Sequence, residues 1–177
     1  TKLNLEMAAI KEMVELALEL KPYQISLVPE KRQEITTEGG LDVCSQVQEL
    51  KDIQKQIKKH GILFSLFVDP DMRQIEASQK VAANSIEINT GAYSELTDSG
   101  KVEDELVRIQ EAAKQAVKLG LRVFAGHGLN FDNVKAIAAI PEIEELNIGH
   151  FLVAQSVYIG IEEAVKIMKQ VIKTASS

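Results

Sequence analysis

The chain has 177 residues, 45% hydrophobic and 26% charged, enough to bury a substantial core and unlike disordered or collagen-like compositions. Its 20 basic and 26 acidic residues give a formal net charge of -6, and no basic run is longer than Lys58-Lys59, which argues against nucleic acid and anionic membrane as partners. Cys44 is the single cysteine and cannot form an internal disulfide, and no signal peptide or membrane-spanning apolar stretch is visible, so one cytoplasmic domain over 1–177 is expected.

The chain opens on Thr1 and enters an apolar segment at once, which reads as the remainder of a longer protein. Six short β-type runs are expected, at 3–7, 23–28, 62–68, 85–89, 122–125 and 146–148. Helices fill the intervals. Ile10, Met13, Val14, Ala17 and Leu18 recur at helical spacing until Pro22 stops them. A second helix over 43–60 is closed by Gly61. Asp69-Pro70-Asp71 predicts a helix start with Asp69 as the capping carboxylate, a role that leaves Asp69 no chemistry. Val102, Leu106, Ile109, Ala113, Ala116 and Val117 predict a fourth helix ending at Gly120; shorter helices over 133–140 and 161–172 complete the pattern.

Strand and helix thus alternate, the pattern of a parallel sheet covered by helices. Neither G-x-G-x-x-G after the first strand nor a P-loop occurs, which disfavours the usual nucleotide-binding open sheets and favours a barrel. A (β/α)8 TIM barrel of about 250 residues needs two units beyond the six found here, so roughly seventy N-terminal residues are expected to be missing.

Ligands in such folds gather at the carboxyl ends of the strands. The first run delivers Glu6, an acid within an apolar run, which reads as a tuned, buried carboxylate or a structural ion pair. The fourth carries Glu87, Asn89 and Thr90; alternation with Ile86 and Ile88 turns Glu87 to the barrel interior, for a catalytic role or for pairing in the barrel floor. His127 stands between two glycines at the fifth exit, placed for proton transfer. Gly149-His150 leads into a helical run whose free N–H groups suit a phosphate. His60 ends a helix and serves only its terminus. Without a His-x-x-x-His pair or clustered cysteines, no metal is expected. The long connection over 29–40, PEKRQEITTEGG, offers Thr36, Thr37, Lys31, Arg32 and a glycine pair, and reads as a lid or binding loop. These residues define a phosphate pocket with groups for proton transfer and leave the reaction open.

The segments LVPEKRQEITTEGGLDV, SLFVDPD, IEINTGAY, AGHGLN and ELNIGH, in this order and spacing, closely resemble the pyridoxine 5'-phosphate synthase family over the whole chain. The resemblance implies a (β/α)8 barrel that condenses 1-deoxy-D-xylulose 5-phosphate with 3-amino-2-oxopropyl phosphate to pyridoxine 5'-phosphate, phosphate and water, without cofactor, in a homo-oligomer, an octamer built from dimers. By position, Glu6 matches the family's general base, His127 its proton donor and Glu87 its transition-state stabiliser. Thr36 matches a contact to the deoxyxylulose phosphate, and Gly128, Gly149 and His150 match the site for the aminoketone phosphate. The family also has two βα units ahead of the segment NLEMA, with an Asn-x-Asp-His segment, a substrate-binding arginine and a further catalytic histidine that this sequence does not contain; without them turnover is expected to be lost. Asn89 and Gln155 stand where many relatives have histidine and arginine. Two readings remain beside the synthase: another phosphosugar barrel such as an aldolase or isomerase, and an inactive fragment that only binds phosphorylated ligands. An imine-forming aldolase would need a lysine at a strand exit, and none of the six runs ends in one.

Overall fold

The computed structural model describes residues 1–29 and 39–175. Six strands, β1 (Asn4–Met7), β2 (Gln24–Leu27), β3 (Leu63–Val68), β4 (Ser85–Asn89), β5 (Arg122–Gly126) and β6 (Ile143–Asn147), form one parallel sheet whose spatial order is their order in sequence. The helices between them are α1 (Lys11–Leu20), α2 (Val47–Lys58, preceded by a 3-10 turn over Cys44–Gln46), α3 (Met72–Val81), α4 (Gly91–Glu95), α5 (Ser99–Lys118) and α6 (Val134–Ala138). After β6 come α7 (His150–Ile159) and α8 (Ile161–Ala175). Right-handed crossovers between sequential parallel neighbours put successive helices on the same face, and contacts between α1 and α2, α2 and α3, and α3 and α5 agree. The result is a curled sheet with the architecture of a partial barrel.

Period-two alternation sorts the strand residues between two environments. Ile25, Leu27, Phe64, Leu66, Val68, Ile86, Ile88, Val123 and Ala125 join the core beneath the helices. That layer is closed by helix positions at the matching period, such as Leu50, Ile53 and Ile57 of α2 and Ile109, Ala113 and Ala116 of α5. The alternate positions line the concave face. One row in register is polar throughout, running Glu6, Ser26, Ser65, Ser85, and the next holds Phe67, Glu87 and Phe124. Among the described residues, no helix is long and apolar enough to cross a membrane.

Three expectations change. The cap of α3 is Asp71, whose carboxylate accepts from the Arg73 N–H at 2.8 Å, so the helix starts after the second acid of the Asp-Pro-Asp triplet. Asp69 is not a cap: its Oδ1 accepts from the Gly40 N–H at 2.8 Å and from Asn89 Nδ2 at 2.9 Å. The sixth strand covers Ile143–Asn147 rather than 146–148, with a register irregularity opposite Val123 and Phe124. Its exposed Glu144 and Glu145 hid it, since an edge strand tolerates charge that a central strand would not. Glu6 is exposed rather than buried, because β1 is the other edge of the sheet.

Candidate active site

Because all six strands run the same way, their carboxyl ends share one rim, and the chemistry-bearing residues collect on the concave face and along that rim. Glu87 is buried, 5% exposed. Its Oε2 accepts from Asn147 Nδ2 at 2.6 Å, which ties β4 to β6 across β5. Such an approach is open only because Gly126 of β5, paired with Asn89 and Asn147, carries no side chain: a Cβ there would collide with Glu87 Oε1 and with the Asn147 backbone. Burial pushes the Glu87 carboxyl up from 4.5 to about 7; the Asn147 hydrogen bond opposes this, and the negative fields of Glu6 and Glu145 add to it. At neutral pH the group is therefore present in both protonation states, so it can donate or accept a proton.

His127 follows β5 directly and is exposed on the rim. The turn is not left to the flanking glycines: His127 itself adopts a positive φ of 82°, followed by Gly128 at 75°. Its ring meets the Phe67 ring edge-on at 6.3 Å between centroids, and its Cδ2 lies against Gly91. Gly149 and His150 are exposed at the start of α7, where no side chain caps the free N–H groups. Glu6 projects from β1 onto the same concave surface as Glu87, whose charge it perturbs. Thr36, with Lys31, Arg32 and Thr37, lies outside the described residues. His60 hydrogen-bonds the Gln56 carbonyl through Nδ1 at 3.1 Å, at the end of α2 as expected.

The structure adds two polar groups that carried no site role in the sequence. Asn147 is the partner of Glu87; alternation along β6 would have pointed it inward had the strand been placed correctly. Asp69 bridges Gly40, at the end of the 29–40 connection, to Asn89 at the exit of β4. No local signal separates it from a cap, because both of its partners are distant in sequence. Among the described residues, no group of three or more His, Cys, Asp or Glu side chains could hold a metal ion. A cavity of about 550 Å³ lies elsewhere, between α6 and α8 and lined by Lys135, Ala136, Ala139, Gln170, Val171 and Thr174; it shares no residue with the rim.

A sequential parallel sheet with covering helices, carrying a carboxyl group poised near neutrality and two histidines at its carboxyl-terminal rim, has the architecture of part of a barrel enzyme. The chain belongs to the family described as pyridoxal phosphate biosynthesis protein PdxJ, whose model matches residues 1–174. It is 57% identical over 173 residues to the pyridoxine 5'-phosphate synthase of Sulfurihydrogenibium sp. (strain YO3AOP1), covering 98% of this chain and 71% of that protein. It is 51% identical over 175 residues to the synthase of Geobacter sulfurreducens (strain ATCC 51573 / DSM 12127 / PCA), covering 99% and 73%. Among solved structures, the Amycolatopsis orientalis BexX/CysO complex gives a TM-score of 0.65 at 14% identity, covering 92% of this chain and 59% of that one. A xylose isomerase domain protein from Planctomyces limnophilus gives 0.59 at 10%, covering 96% and 71%. At such low identity these two speak for the fold alone.

Proposed function

We propose that the chain forms the catalytic part of a pyridoxine 5'-phosphate synthase that joins 1-deoxy-D-xylulose 5-phosphate to 3-amino-2-oxopropyl phosphate, releasing inorganic phosphate and water. The observation that carries this reading, together with the family, is the placement of Glu6 and Glu87 on the concave face and of His127, against Phe67, on its carboxyl-terminal rim. Closing a pyridine ring requires imine formation, dehydrations and aromatisation, each of which moves protons between carbon, nitrogen and oxygen. Glu6 at the open edge serves as general base. His127 on the rim donates protons to leaving hydroxyls. Glu87, held by Asn147, stabilises the cationic character that develops in the transition state, and it does so most strongly when ionised. The first-turn N–H groups after Gly149, with His150 and the Gly128 backbone, hold the phosphate of the aminoketone, while Thr36 contacts the deoxyxylulose phosphate. No metal or organic cofactor is required in this scheme.

Two further βα units, roughly seventy residues by barrel arithmetic, close the sheet between β6 and β1 into a single (β/α)8 domain. The relatives' greater length supports this: the chain spans 71% of the first of them. A cytoplasmic homo-oligomer, without nucleic acid or membrane partners, completes the proposal.

The test is to supply the intact protein with both substrates and follow pyridoxine 5'-phosphate. Product formation is expected, and His127→Asn is expected to lower turnover at least about a hundredfold with an unchanged circular-dichroism spectrum. Cleavage or isomerisation of one sugar phosphate alone, or binding of both substrates without product, overturns the proposal.

A further inference from the structure

His127 carries a backbone conformation that a side chain rarely adopts, with φ at 82°. Such a residue keeps its geometry only where its surroundings hold it. What holds it is Thr90, fully buried at the exit of β4. The Thr90 N–H donates to the Gly126 carbonyl at 2.8 Å, extending the β4–β5 ladder by one rung. Its hydroxyl lies 2.7 Å from both the Gly126 and the His127 carbonyl oxygens, so one O–H is shared between the two peptide groups that bracket His127. The next residue completes the seat. Gly91 packs against the His127 ring, where a Cβ would come within 2.8 Å of Cδ2, and its N–H is fixed by Asn89 Oδ1 at 2.9 Å. The orientation of that Asn89 amide is determined from its other end, where Nδ2 donates to Asp69 Oδ1.

We infer that Thr90 is a positioning residue for the reaction: its hydroxyl pins the carbonyls on either side of His127 and thereby aims the imidazole over the concave face. This rests on the reading of His127 as proton donor. Thr90 touches no substrate and moves no proton to one; removing its hydroxyl lets the Gly126–Gly128 backbone relax toward ordinary φ values and swings the ring off its line. A displacement of about 1 Å in a proton-transferring group is enough to cost on the order of a hundredfold in rate.

The experiment compares Thr90→Val, which keeps the shape and loses the hydroxyl, with Thr90→Ser, which keeps the hydroxyl. In the intact protein Thr90→Val is expected to lower kcat by roughly 10- to 100-fold with KM for both substrates within about threefold, and Thr90→Ser to stay within about threefold of the parent in both. In a His127→Asn background, Thr90→Val is expected to cause no further loss of kcat, because the group it positions is gone. Undiminished kcat in folded Thr90→Val, a Thr90→Ser variant as impaired as the valine, or additive losses in the double variant each overturn the inference. His127→Asn alone tests the other reading: full activity there removes the proton donor, whereas a large loss there beside an undisturbed Thr90→Val removes only Thr90. Should the valine variant fail to fold, a crystal structure of the parent decides, since a Thr90 hydroxyl beyond hydrogen-bond reach of both carbonyls also overturns the inference.

Discussion

A carboxyl group that titrates near neutrality leaves a mark on stability as well as on chemistry. Glu87 is raised from 4.5 to about 7 chiefly by burial, so between those values the folded chain keeps a proton that the unfolded chain has released. Stability from this group therefore falls as pH rises through that window and levels off above about 7, the opposite of the usual paired carboxylate. Glu87→Gln keeps an oxygen for the Asn147 amide and removes the titration. The difference in unfolding free energy between variant and parent, from urea curves, is expected to shift in the variant's favour by up to about 3 kcal/mol between pH 4.5 and pH 8. A difference flat with pH would mean that the carboxyl ionises normally. The inward direction of Glu87 was legible, because its apolar neighbours Ile86 and Ile88 fix the alternation. Its partner was not, since Asn147 belongs to a strand whose exposed acids concealed its true limits.

At the scale of elements, apolar periodicity located the main helices and turn residues located their ends, but two features obeyed rules that sequence patterns do not carry. One is the start of α3, where Pro70 and two aspartates permit either cap and the tertiary bonds of Asp69 to Gly40 and Asn89 decide the matter. The other is its end. Ala82 closes α3 in the left-handed region at φ 64°, where a helix commonly places glycine, and it is exposed, with no packing to lose. Ala82→Gly removes the Cβ clash and gives back part of that gain as unfolded-state entropy. A net stabilisation of about 0.5–1 kcal/mol is expected by chemical denaturation. Lost stability would place the strain elsewhere. The short α4 was missed for a simpler reason: five residues give no helical period to detect.

For the molecule as a whole, the described sheet has two free edges, at β1 and β6, and α7 leaves Val153, Val157 and Tyr158 exposed at 63%, 81% and 84%. Apolar surface and unpaired strand edges of this kind promote association. A polypeptide restricted to residues 1–177 is expected to enhance the fluorescence of an apolar-surface dye and to sediment as a concentration-dependent mixture. Supplying the two proposed N-terminal βα units, roughly seventy residues, should yield one defined species with weaker dye response. An isolated chain that sediments as a single small species would count against the closing units. The parallel sheet covered by helices was legible from strand number and spacing, whereas these uncovered surfaces belong to positions that no local pattern marks.

The one-after-another strand order has a bearing on how the protein comes into being. Among the described strands, every sheet pairing joins consecutive βα units, so each of β2 to β6 finds its partner already made as the polypeptide leaves the ribosome. Assembly can therefore advance by accretion from the amino terminus, and Glu87 gains its Asn147 partner only when the last strand docks.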